Sequence, residues 1–129
     1  MFSVRKRRAL LLPSGPPGSD IKHLFVILND PAGSRGEVVL VPISSVRPER
    51  KYDDACLIEK GEHAFIKHRS YAVYKLCEQR DAAELERGVR NGRFTDKGFV
   101  SEELFARIVR GVARSKLTRS FVHPYVSPP

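Results

Sequence analysis

No apolar run in the chain approaches the roughly 20 residues that a membrane span needs, and the longest, Leu24-Phe25-Val26-Ile27-Leu28, is of strand length. The basic opening, Met1 to Arg8, resembles the charged start of a signal peptide, but its apolar stretch, Ala9 to Leu12, stops at Pro13, short of an h-region. The expectation is a cytoplasmic protein with no membrane partner. Cysteine is scarce: Cys56 and Cys77 are too few for a disulfide framework, and neither falls in a CxxC or Cys/His metal spacing. They read as small buried hydrophobes. At 129 residues the chain is too short for two cores, which predicts a single domain over 1–129. Acidic residues are outnumbered, 15 against 23 Lys and Arg, for a net charge of +8. That balance favours a polyanion such as nucleic acid as partner, or else serves solubility alone. The charge gathers at Arg5-Lys6-Arg7-Arg8, a basic N-terminal arm over 1–8, and at Arg107, Arg110, Arg114, Lys116 and Arg119.

What is present reads first as short strands. Arg8 to Pro13 is a candidate strand, followed by Ser14-Gly15-Pro16-Pro17-Gly18-Ser19-Asp20, a composition that cannot continue regular structure and must be a surface loop. Leu24–Leu28 is the best candidate for a central strand. The turn signal Asn29 to Gly36 leads to Val38-Val39-Leu40-Val41, and the two apolar runs predict an antiparallel hairpin. Ala55–Ile58 and Ser70–Cys77 complete a set of short strands at regular spacing, the pattern of a small barrel or sandwich. Near residue 80 the period changes. Asp81 and Glu84 have capping-box spacing, Ala82, Leu85 and Val89 follow at helical spacing, and Asn91-Gly92 is a stop signal, which predicts a helix over 81–91. Ser101 as N-cap, with Glu102 and Glu103 behind it, opens a second helix over 101–115 whose apolar stripe is Leu104, Phe105, Ile108, Val109 and Val112. Residues 120–129, with Pro124, Pro128 and Pro129, read as a loose tail. The expected core includes Phe25, Ile27, Val39, Val41, Leu57, Val73, Leu85, Leu104, Phe105 and Ile108.

Chemistry-bearing side chains concentrate in Gly61-Glu62-His63-Ala64-Phe65-Ile66-Lys67-His68-Arg69-Ser70-Tyr71. His63 and His68 stand five apart, the wrong step for two ligands on one helix face, and no third ligand is near, so no metal site is expected. As a catalytic set the segment makes more sense: imidazole exchanges protons near neutral pH, and Lys67 or Arg69 can hold a phosphate. His63 and Tyr71 can equally tie a loop to the core. Lys22-His23 sits where the Gly/Pro loop enters the central strand, and Ser44-Ser45 with Arg47 follows the Val38–Val41 strand. Loop-to-strand junctions of this kind project groups to one rim of a barrel.

The order of elements over about residues 8–115, with Val41-Pro42-Ile43-Ser44-Ser45 closing a strand, resembles the PemK/MazF plasmid-maintenance toxins. The likeness is nearest to a branch with a Lys-His-Leu-Phe-Val entry, here Lys22 to Val26, and a Gly-Glu-His-x-Phe-Ile-x-His-x-Ser-Tyr motif, here Gly61 to Tyr71. The resemblance implies an α+β fold, a small SH3-like antiparallel β-barrel of five strands with two C-terminal helices. It implies a toxin-like, metal-independent endoribonuclease that cleaves single-stranded RNA without a cofactor, an antitoxin protein as partner, and a homodimer. Its catalytic set would be His68, His23, Lys22, Ser44 and His63, with Ser45, Arg47, Lys67, Arg69, Ser70 and Tyr71 binding substrate. The family's Arg-Pro pair is replaced here by Lys22-His23. The alternative is a barrel that has lost cleavage and binds nucleic acid or a protein partner; convergence of the named residues in one concave site is what separates the two.

Overall fold

A computed structural model of the chain describes residues 2–126. The backbone forms strands β1 (Arg8–Pro13), β2 (Lys22–Ile27), β3 (Glu37–Ser45), β4 (Leu57–Ile58), β5 (Ser70–Ala72) and β6 (Glu78–Asp81), then helix α1 (Ala82–Arg90), strand β7 (Thr95–Phe99) and helix α2 (Glu102–Arg114). Short 3-10 turns occupy Tyr74–Leu76 and Ser120–Tyr125. All strands pair antiparallel in one sheet of seven, in the order β4-β5-β3-β2-β1-β7, with β6 also on β3. The fold is α+β, with two more strands than the sequence suggested. The sheet is open: its outer strands β4 and β7 pair with β5 and β1 and not with each other.

β3 organises the sheet. Its middle, Leu40–Ile43, pairs with β2 along one edge, while β5 and β6 share the other edge, opposite Ile43–Ser45 and Glu37–Leu40. The expected strand Ser70–Cys77 is therefore broken. Tyr74 turns inward through the 3-10 turn, is fully buried, and donates its hydroxyl to the Ile108 carbonyl at 2.7 Å.

Both faces of the sheet are covered, which is why β2 and β3 read as continuous apolar runs rather than alternating ones. One face buries Leu24, Val26, Val39, Val41 and Ile43 under Leu104, Ile108 and Val112 of α2 and Val122 of the C-terminal turn. The other buries Leu10, Leu12, Phe25, Ile27, Val38 and Leu40 under Ala82 and Leu85 of α1, with Val4 and Phe94. Of the expected core, Leu57 and Phe105 are only partly buried, and the other eight are buried.

Several local expectations change. The basic arm is not an arm: Val4 is buried, Phe2 packs on the same cluster, and Arg7 N–H donates to the Ile27 carbonyl. The tail is not loose over its described part, because Val122 is fully buried and Tyr125 donates its hydroxyl to Glu37 at 2.9 Å; residues 127–129 lie outside the described residues. Asp81 holds the N-cap position of α1 without a side-chain cap bond, and Glu84 turns to Arg80 instead. Ser101 does cap α2, its Oγ accepting the Leu104 N–H at 3.0 Å. Among the described residues no helix is long and apolar enough to cross a membrane.

The basic surface is also smaller than the charge count implies. Arg7 donates to the Val100 carbonyl, and Arg8 is paired with Asp96 at 2.9 Å. Arg107 reaches across from α2 to Glu62 Oε2 at 2.9 Å and the Leu57 carbonyl at 2.7 Å. The guanidinium donating to Glu62 holds that carboxyl below its ordinary range, against the opposing effect of burial. A carboxylate depressed in the folded state stabilises above its unfolded pKa of about 4.3, and the benefit is lost as pH falls through the lower folded value. With the side chains 25% and 29% exposed, Glu62→Gln is expected to cost about 1–2 kcal/mol at pH 7, between the values of exposed and buried pairs. Urea midpoints of the two proteins should converge as pH falls below about 4.

Candidate active site

One end of the sheet gathers the starts of β2 and β5, the end of β3 and the loop 59–69 around a cavity of about 340 Å³. β2 contributes Lys22, His23 and Leu24; β3 contributes Ile43, Ser44 and Ser45, with Arg47 just beyond. The loop contributes Phe65, Ile66, Lys67 and His68, and β5 adds Ser70. Three segments far apart in sequence meet here because the β2–β3 and β3–β5 pairings bring their ends to one rim. A larger hollow of about 590 Å³ between the β2–β3 turn and α2 is lined by Leu28, Phe105, Val109 and Tyr125 among others, and holds no histidine. The chemistry belongs to the smaller one.

The residues lining it include two histidines, three cations (Lys22, Arg47 and Lys67) and three serines, and no carboxylate. His23 is half-buried, and its Nδ1 is hydrogen-bonded to the Ser14 hydroxyl in the Gly/Pro loop, which orients the ring. His68 is exposed; its carbonyl accepts from Ser70 Oγ at 2.8 Å, while its ring makes no hydrogen bond or ion pair among the described residues. Ser70 is buried, so its hydroxyl holds the loop in place rather than facing the cavity.

Three expected site residues fall elsewhere. His63 Nδ1 accepts the Phe65 N–H at 3.0 Å, and its Nε2–H donates to the Lys97 carbonyl at 2.9 Å. Both ring nitrogens are thereby committed to backbone, and the side chain pins the loop against β7. His63→Ala is expected to cost about 1–3 kcal/mol, the penalty of stranding a hydrogen-bonded group, measured as a lower urea midpoint. Arg69 pairs with Glu59 at 3.1 Å outside the cavity. Tyr71 packs against Tyr52 and does not line the cavity.

Two contributors were missed. Ser14 lay in a loop whose composition announces only a turn, and nothing in the sequence pairs it with His23. Phe65 had a signal, an aromatic among basic residues in the densest polar segment; it is 40% exposed, with Lys97 Nζ at 5.3 Å from its ring centroid. Cysteine chemistry has no support here: burial pushes the Cys77 thiol up to about 12 and raises that of Cys56, so neither offers a thiolate near neutrality. Among the described residues no group of three or more His, Cys, Asp and Glu side chains could hold a metal ion. Compared with known proteins, the chain matches no family model and no curated sequence.

Proposed function

We propose that the chain is a toxin-like, metal-independent endoribonuclease of PemK/MazF type, built on an SH3-like sheet and acting in the cytoplasm on single-stranded RNA under the control of an antitoxin protein. The observation that carries this reading is the cavity's content, two imidazoles and three cations with no carboxylate in one concave site. That set suits a phosphodiester and repels nothing on it. In the reaction, the exposed His68 ring takes the proton of a ribose 2′-hydroxyl, and the 2′ oxygen attacks the adjacent phosphorus. The P–O5′ bond breaks, and His23, oriented by Ser14, protonates the departing 5′ oxygen. The products are a 2′,3′-cyclic phosphate and a 5′-hydroxyl. Lys22, Arg47 and Lys67 offset the charge that builds on the phosphate, Ser44 and Ser45 offer hydroxyls to its oxygens, and Phe65 stacks on a neighbouring base.

Purified protein incubated with mixed single-stranded RNA in EDTA should release discrete fragments ending in cyclic phosphate. Affinity for a non-cleavable single strand should fall with salt, with a log–log slope of about −2 from the three cavity cations. The replacement of the family's Arg-Pro pair by Lys22-His23 favours the second reading, a non-catalytic RNA-binding module. Salt-dependent binding without fragments would select it.

A further inference from the structure

Next to the cavity, Tyr52 and Tyr71 form an aromatic shelf, their ring centroids 5.4 Å apart and tilted by 41°. Tyr52 is 37% exposed and Tyr71 half-buried. They line a second hollow of about 260 Å³, whose rim carries Lys51, Lys75 and Leu117. Both lysines are exposed and make no ion pair among the described residues. The one carboxylate on the rim, Asp53, accepts the Ala55 N–H at 3.1 Å and the Ser115 hydroxyl, so its oxygens are engaged. The β3–β5 ladder links the two hollows. Tyr71 stands directly opposite Ser44 in the β3–β5 register, and Ser44 lines the cavity. Cross-strand partners project to the same face with Cβ atoms about 4.5–5.5 Å apart.

We propose that the Tyr52–Tyr71 shelf is a nucleobase subsite, holding one base of the RNA strand whose scissile phosphate lies in the cavity. The inference rests on the ribonuclease reading above and extends it to a substrate longer than the bond cleaved. Every base presents a π-face to an aromatic ring, so the subsite is tolerant of sequence. Lys51 and Lys75 flank the rings as phosphate contacts. A protein partner would use the apolar side of the hollow, Leu117, but two unpaired lysines beside two aromatic rings suit a polyanion carrying bases.

The test compares a 2′-O-methyl RNA dodecamer with a 2′-O-methyl dinucleotide monophosphate, both resistant to cleavage, titrated in EDTA. Tyr52→Ala is the lead variant because its ring is exposed, and its melt is checked first. The ratio of dodecamer to dinucleotide affinity should fall about tenfold in Tyr52→Ala and be kept in Tyr52→Phe. Lys51→Gln and Lys75→Gln should each flatten the dodecamer's salt slope by about 0.7. A Tyr52→Ala protein with wild-type melt and wild-type ratio overturns the subsite and leaves the shelf to a protein surface, while fragments from unmodified RNA keep the ribonuclease reading. A wild-type protein that neither cleaves RNA nor binds the dodecamer sinks both.

Discussion

Gly111→Ala should destabilise the protein by about 3 kcal/mol, although alanine is ordinarily the better helix residue by about 0.5–1 kcal/mol. Gly111 lies in α2 where the helix crosses the fully buried Tyr74 ring. A Cβ there would fall 2.7 Å from Tyr74 Cζ and nearer still to the hydroxyl oxygen. The ring cannot retreat, because its hydroxyl is held by the Ile108 carbonyl one turn earlier in the same helix. Either the helix lifts off the sheet or the hydroxyl loses its acceptor inside the core. Overpacking costs about 1–3 kcal/mol and a stranded buried hydroxyl a similar amount. The intrinsic helical gain is overwhelmed. Thermal melts should show a drop of about 10 °C, and Tyr74→Phe, which removes the nearest of the obstructing atoms, should make Gly111→Ala less costly in that background. Equal penalties in both backgrounds would mean that the helix and ring do not meet as described.

His68→Ala should slow RNA cleavage by about 10²- to 10⁴-fold, the usual contribution of one general acid or base, with the melting temperature almost unmoved. The ring is exposed and makes no hydrogen bond among the described residues, so its removal is a surface change worth about 0.5 kcal/mol or less. His23→Ala should show a comparable loss, and the double variant little more than either alone, since the two act in one proton relay. His63→Ala marks the contrast. A destabilised His68→Ala protein with wild-type cleavage would make His68 a scaffold residue and remove the acid–base reading.

The apolar strands were legible from the sequence because they are buried on both faces, and the two helices because their caps and stripes obey helical spacing. β6 and β7 were not. Glu78-Gln79-Arg80-Asp81 and Thr95-Asp96-Lys97-Gly98-Phe99 are polar strands on exposed borders, where backbone pairing alone defines the strand and no alternation records it. Their presence widens the sheet and leaves it open where a closed barrel was expected. The gathering of Lys22, His23, Ser44, Ser45, Arg47, Lys67 and His68 around one cavity was legible because polar groups at strand ends of an antiparallel sheet gather on one rim. The placement of His63, Arg69 and Tyr71 outside it was not, because residue type and sequence proximity are silent on direction: one step along β5 carries the chain from Ser70 at the cavity to Tyr71 at the shelf.

β3 has a consequence for motion. Opening it breaks the ladders to β2, β5 and β6 together, and its Val39 N–H is further held by Asn29 Oδ1 at 2.8 Å. Its central amides should therefore exchange with solvent deuterium only through global unfolding, while those of the Ser14–Asp20 loop exchange almost at once. Ser44 and Ser45 sit on the slow element and Ser14 on the fast one, so the cavity joins a rigid wall to a yielding one. Under the ribonuclease proposal, a long strand of RNA would enter by displacing the loop without loosening the sheet that positions the phosphate.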